Sequence, residues 1–201
     1  MTAPTPRVQL ERGRELVLPP LRRATDGGLP RLTTRATLLD DGERLTVRFE
    51  CEDPEPSATL TARDAPLWQE EVVEVFVAPG HQPPRRYFEL ELNPLGAVFD
   101  AVVDSPRGER DGMQVETAWT CAGLETSVEL DPGAGLWHAT LAIPWRALAR
   151  AVPAPADWRL NLCRIDRPSG APAEFSAWSP TFRDPADFHR PDRFGFVSRF
   201  G

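Results

Sequence analysis

The chain has no lysine, and all 23 of its basic residues are arginine. Schiff-base chemistry and lysine ligation are therefore excluded. Methionine is nearly absent, with two residues, and histidine stops at three. A haem held by Met or His on facing strands would have only Met113 and those histidines to draw on, yet Met113 falls in a polar connection and His81 in a proline turn. The three cysteines, Cys51, Cys121 and Cys163, give neither a paired framework nor a CxxC spacing. Cys51 falls on the apolar side of its segment and reads as a buried free thiol. No apolar run approaches membrane-spanning length, which argues against a membrane partner. The first thirty residues contain no apolar signal core, so the chain as given is expected to be cytoplasmic, or secreted or periplasmic if a leader has been removed. A formal net charge of −7 argues against a nucleic-acid surface.

What is present centres on Leu67 to Ala78, LWQEEVVEVFVA. Read as a β-strand, it has two unlike faces, because successive side chains point to opposite sides. Val73, Val75 and Val77 share one face, which reads as core. Trp68, Glu70, Val72, Glu74 and Phe76 share the other. A face carrying an indole and two carboxylates is costly unless something uses it. The plainer alternative is a sheet edge where Trp68 caps the core and the glutamates are solvated.

The same pattern recurs along the chain. Residues 1–35 read as an irregular arm of the same domain, with one apolar run from Leu16 to Leu21 suited to an edge strand. Residues 36–201 read as the body. Arg35–Leu39 and Leu45–Cys51 form a hairpin around Asp41-Gly42. On its return strand Leu45, Val47, Phe49 and Cys51 alternate with Thr46, Arg48, Glu50 and Glu52. Tyr87 to Asn93 places Phe88, Leu90 and Leu92 inward and Tyr87, Glu89, Glu91 and Asn93 outward. Further strands are predicted at Val98–Val103, Glu116–Cys121, Leu124–Leu130, Trp137–Ile143 and Trp158–Ile165. On the last, Asn161 and Cys163 face away from the core. One short helix is predicted at Pro144–Arg150, with proline in its first position. The 22 prolines cluster between these segments and mark loops and edges.

Many short strands with turn signals between them predict an all-β fold, an antiparallel β-sandwich of jelly-roll or immunoglobulin-like type. Glu50 and Glu52, Glu70 and Glu74, and Glu89 and Glu91 all fall on outer faces of consecutive strands. If those strands are neighbours, their repulsion must be offset by arginine, a bound cation or a polyhydroxylated ligand.

The pieces FECEDPEP, LWQEEVVEVFV, YFELELNPLG, LAIPW, WRLNLCRIDR, SAWSPTF and RFGFV, in that order from about Ala36 onward, resemble carbohydrate-binding module family 9, a group with the DOMON-like β-sandwich fold. The resemblance implies non-catalytic binding of a saccharide or similar polyol and a place in carbohydrate catabolism, with no organic cofactor. It makes Trp68 one wall of an aromatic clamp and Glu74 a partner for sugar hydroxyls. Phe188 or His189 stands where the family has its second, tryptophan wall, and Cys163 where it has a glutamine. It also implies structural calcium, for which the acidic loop at Asp53 is one candidate.

The chemistry agrees with this reading. Sugar C–H patches lie against aromatic faces while hydroxyls seek carboxylate, amide and guanidinium partners. The candidate ligand-binding set is Trp68, Glu71, Glu74, Asn161, Arg164, Trp178, Phe188 and His189. Within it, Trp178 reads as a core or packing residue ahead of a ligand contact, while Arg164 also reads as a structural partner of Asp166 or Glu74 and His189 as a loop cap. A glycoside hydrolase built on a carboxylate pair, a haem-binding DOMON-type cytochrome domain, and an interaction module with a decayed site are the alternatives.

Overall fold

A computed structural model describes residues 3–149 and 156–200. In chain order its strands are β1 (Arg7–Glu11), β2 (Glu15–Val17), β3 (Arg22–Arg23), β4 (Thr34–Asp40), β5 (Arg44–Glu52), β6 (Val72–Pro79), β7 (Arg86–Leu92), β8 (Val98–Asp104), β9 (Gln114–Glu116), β10 (Glu125–Asp131), β11 (Leu136–Pro144), β12 (Asp157–Asp166), β13 (Glu174–Ala177) and β14 (Gly195–Phe200). The short helix α1 spans Trp145–Leu148. One sheet runs β1-β14-β12-β6-β7-β8-β9, with β13 and β3 attached beside β12. The other runs β10-β11-β5-β4-β2.

The chain is a β-sandwich, and its core follows from the alternation of apolar residues. Val73, Val75 and Val77 of β6 and Leu90 and Leu92 of β7 face Val47, Phe49 and Cys51 of β5 and Trp137, Ala139 and Leu141 of β11. Burial of such side chains supplies the main driving force for closing two sheets on each other. Trp158, Leu160 and Leu162 join this core from β12.

The outer face of the larger sheet departs from expectation. Tyr87, Glu91 and Asn93 are fully buried and Glu89 nearly so. Residues from the connections fold back over this face, so that Leu67, Phe188 and Phe194 pack with Val72, Phe76, Tyr87 and Phe99 in a second apolar cluster. β6 is consequently buried on both sides, which its valine-rich run already allowed.

Other boundaries also move. The predicted strand from Leu67 begins only at Val72. Leu67–Gln69 is instead a single 3₁₀ turn, closed by the Gln69 N–H on Pro66 O and the Glu70 N–H on Leu67 O. Pro66 lacks the N–H that a ladder would need and carries the fixed φ that suits a turn. The predicted strand at Glu116–Cys121 lies earlier, at Gln114–Glu116. Pro144 ends β11 and caps α1 rather than opening it, and Arg150 lies outside the described residues, as do residues 1–2 of the arm and 201. The arm carries three strands, and β1 pairs with β14 in parallel, so the sandwich is not purely antiparallel.

The carboxylates expected on one repelling surface separate onto two sheets. Glu50 and Glu52 lie on β5 in the smaller sheet, where Arg35 reaches both. Glu74, Glu89 and Glu91 stay together on β6 and β7.

Candidate functional site

The site forms where the pleat of β6 and β7 meets the covering loops. Glu74 sits at an outward position of β6. The register pairs it with Glu91 on β7 on one side and with Cys163 on β12 on the other. Glu89, two residues from Glu91, shares its face and pairs with Phe76. The carboxylate oxygens of Glu74, Glu89 and Glu91 converge within 4.8 Å of one another.

A cavity of about 400 Å³ opens above them. From the sheet it is lined by Glu74, Glu89, Phe99, Ile165 and Phe175, and from the loops by Trp68, Arg110, Met113, Asp187, Phe188 and His189. Trp68 is 43 % exposed, so its indole is open to this space and not sealed in the core. The ring packs edge-on against Phe99 at 5.2 Å between centroids. Its turn is held from two directions. Arg167 donates to the Trp68 carbonyl at 3.0 Å, and the Glu70 carboxylate accepts from the Thr59 and Leu60 amides at 2.7 and 3.0 Å. Phe188 is buried against Phe175 at 5.7 Å and Phe76 at 6.3 Å.

The electrostatics of the floor are unusual. Burial, then mutual repulsion, holds the Glu74 and Glu91 carboxyls well above the usual carboxylate range. Burial raises Glu89 to about 7, against the pull of Arg110. Glu91 is fully buried and neither of its oxygens has a partner in good geometry, and Oε1 of Glu74 has none either. The arginines at the cavity are engaged elsewhere: Arg110 donates to Asp187 at 2.8 Å, and Arg167 to the Trp68 carbonyl. His189 shares a 2.8 Å hydrogen bond with the Tyr87 hydroxyl, and burial pushes its imidazole down to about 4, leaving it neutral near pH 7. Burial and the neighbouring Glu74 and Glu89 push the Cys163 thiol well up, so it is an inert apolar filler.

Of the candidate residues, Trp68, Glu74, Phe188 and His189 line this cavity, and Glu71, Asn161, Arg164 and Trp178 do not. Asn161 is buried under the chain at Ser179. It donates to the Ser179 carbonyl at 3.0 Å and accepts from its amide at 2.9 Å, which ties that segment to β12. Trp178 belongs to the core between the sheets. Arg164 points to the inter-sheet side, bonding Asp53 at 2.7 Å, Glu52 O at 2.9 Å and Asp166 at 3.4 Å. Glu71 joins that group, accepting from the Ser57 amide at 3.1 Å.

Asp53, whose loop is one candidate place for calcium, forms a cluster with Glu71 and Asp166. The cluster does not fit the ion. The Arg164 guanidinium already supplies positive charge in its midst, whereas calcium asks for six to eight oxygen ligands in a cage of its own. Burial and the neighbouring Asp53 raise the Glu71 carboxyl to about 8, so it can remain protonated beside the pair.

Glu89, Glu91, Arg110, Asp187 and Phe175 were missed as site residues. The alternation in YFELELN already put Glu89 and Glu91 on one face, and only the adjacency of β6 and β7 was needed to bring Glu74 to them. Nothing in the polar connection before β9 signalled Arg110 or Met113.

A family profile described as carbohydrate-binding family 9 matches residues 30–199. The chain belongs to carbohydrate-binding family 9. An "Extracellular protein" of Arthroderma benhamiae is 27 % identical over 172 residues, covering 80 % of this chain and 74 % of the relative. Among solved structures, a protein of Bacteroides uniformis assigned a carbohydrate-binding role superposes with a TM-score of 0.76 at 17 % identity, over 98 % of this chain and 100 % of that one. A family 9 module of Caldicellulosiruptor kristjanssonii, in complex with cellotriose, superposes at 0.64 with 13 % identity over 97 % and 94 % of the two chains. The same organism's module with glucose gives 0.62 at 13 % identity, over 97 % and 96 %. At these identities the structural likeness speaks for the fold, and it is the β-sandwich that this family 9 chain shares with them.

Proposed function

We propose that this family 9 chain holds a saccharide in the cavity between Trp68 and the carboxylates of β6 and β7, without acting on it. One observation carries this: a partly exposed indole and a buried carboxylate, Trp68 and Glu74, look into the same hollow. An apolar ring face and a set of hydrogen-bonding groups are the two things a sugar asks of its site. Phe188 and Phe175 add apolar wall, and the carboxyls of Glu74 and Glu89 offer hydrogen-bonding oxygens.

A hydrolase reading is weaker. It requires two carboxyls flanking the scissile bond from opposite sides, at about 5–5.5 Å or 6.5–9.5 Å. Here the carboxylates stand side by side on adjacent strands, with oxygens within 4.8 Å.

The relatives solved with cellotriose and glucose support starting from gluco-configured sugars. The fungal relative's name supports placing the chain outside the cytoplasm, where such binding would serve carbohydrate breakdown. Calcium remains an expectation of the family resemblance and draws no support from the residues at Asp53. A thermal-shift and calorimetric screen against mono- and oligosaccharides tests the proposal. A saturable shift with at least one sugar is expected, and none with any sugar would refute it.

A further inference from the structure

The floor of the cavity has more acid than a neutral sugar needs. Three carboxylates converge there, and no ion pair joins an arginine to any of them among the described residues. Arg110 lines the same cavity and acts on Glu74 and Glu89 from a distance, but its own ion pair is with Asp187; the His189 ring stands 3.8 Å from Glu89. That ring is held neutral by burial. Two of the three, Glu74 and Glu91, are almost wholly buried with oxygens lacking a partner. A buried polar atom without a partner costs free energy, and a native fold keeps such atoms where something else completes them. Glu74 lines the cavity itself, so its unpartnered side chain is aimed at whatever enters.

We infer that the preferred ligand is a cationic sugar, one whose protonated amino group sits on the floor against Glu74 and Glu89 while the ring lies along Trp68. This rests on the saccharide reading of the cavity and narrows it to a chemical class. An ammonium brings three donors to a floor where Oε1 of Glu74 has none, and one positive charge to groups that cannot ionise fully on their own. The aromatic lining suits the same guest, because a cation is attracted to the faces of Trp and Phe rings. Burial raises all three carboxyls above the usual carboxylate range, Glu89 to about 7 against the pull of Arg110. Entry of the ammonium favours their ionised form, so binding releases protons. An N-acetylated sugar lacks the charge and keeps one N–H donor in place of three, so it gains little of this.

The test is calorimetry of the intact chain at pH 6.5 with glucosamine, glucose and N-acetylglucosamine, repeated in two buffers of different ionisation enthalpy. At that pH an ordinary amine of the α-amino kind is mostly protonated. Glucosamine is expected to bind about tenfold more tightly than either neutral sugar, with a buffer-dependent heat that reports proton release. Glu89→Gln is expected to bring the glucosamine-to-glucose affinity ratio toward one. The wild-type ratio alone decides the matter if that variant does not fold. Equal binding of all three sugars, or preference for a neutral one, overturns the cationic inference and leaves the saccharide reading intact. No binding of any of them, or of the wider sugar panel, removes both. Calcium titrated alone that binds the wild type, is lost in Glu89→Gln and displaces glucosamine would also overturn it, by making the carboxylates a metal site.

Discussion

Glu74 on β6 lies directly across the strand pair from Glu91 on β7, and the two carboxyls are buried together at the foot of the cavity. Like charges placed opposite each other in a sheet are destabilising even when exposed, and here water cannot screen them. The pair is tolerable because each group keeps its proton well past the usual range. Glu91→Gln, which removes the acid but keeps the shape, should therefore raise the melting temperature of the empty protein, and more at pH 8 than at pH 6. Thermal denaturation at both pH values reads this directly. A drop at both would mean that the carboxyl has a partner that the amide cannot replace.

Stability should also depend on pH with a definite sign. The carboxyls of Glu71 and Glu89 rise from 4.5 to about 8 and about 7 on folding. The folded chain thus holds more protons than the unfolded one across that interval, and stability fades as pH climbs through it. His189 works the other way below its ordinary 6.5, since its folded value is about 4 and unfolding there takes up a proton. The window where only the carboxyls act is pH 6.5 to 8. The melting temperature should fall by roughly a few degrees across it, and Glu71→Gln should flatten the slope.

Trp68→Ala should weaken saccharide binding by roughly tenfold or more while leaving the unfolding midpoint nearly unchanged. The ring is exposed enough that its loss opens no core cavity. Calorimetry and a denaturant curve on the same preparation separate the two effects. A large loss of stability with intact binding would place the indole in the fold and outside the site.

Arg164→Met should do the reverse. It strands Asp53 and Asp166 without their cation in a buried setting, at about 3–5 kcal/mol of stability. Urea denaturation measures the loss, and sugar affinity of the folded fraction should match the wild type.

Gly195→Ala should be harmful at a place where the backbone itself needs no glycine. A methyl there would meet the Trp178 ring at 2.4 and 2.7 Å. Overpacking of this kind costs about 1–3 kcal/mol. An unchanged melting temperature would mean that Trp178 can shift, and that the core there is looser than its burial implies.

Much of this was legible in the residues. The alternation in β5, β6, β7 and β12 gave the sandwich and the core side of each strand, because a period of two can be read without knowing the neighbours. Trp68 and Glu74 were legible as one site because they share a short segment. The set of Asn161, Arg164, Trp178 and Glu71 was not separable from it, since each has a polar or aromatic character that a ligand or the fold can use equally. What decided their roles was pairing across long sequence distances: Arg164 with Asp53, Asn161 with Ser179 and Trp178 with Gly195. Alternation also could not show that the outer face of β7 would be roofed, because the covering residues come from irregular connections with no period to read.

The indole and the acids at the site are placed by different means. Glu74, Glu89 and Glu91 stand where the pleat puts them, and they cannot move without slipping a strand. Trp68 rides on a single turn, fastened by Glu70 to Thr59 and Leu60 and by Arg167 to the Trp68 carbonyl. An insertion between residues 57 and 66 would re-aim the ring and leave the carboxyls untouched. Shape preference and charge preference can therefore drift apart in descendants of this chain, one through loop length and the other only through substitution on the strands.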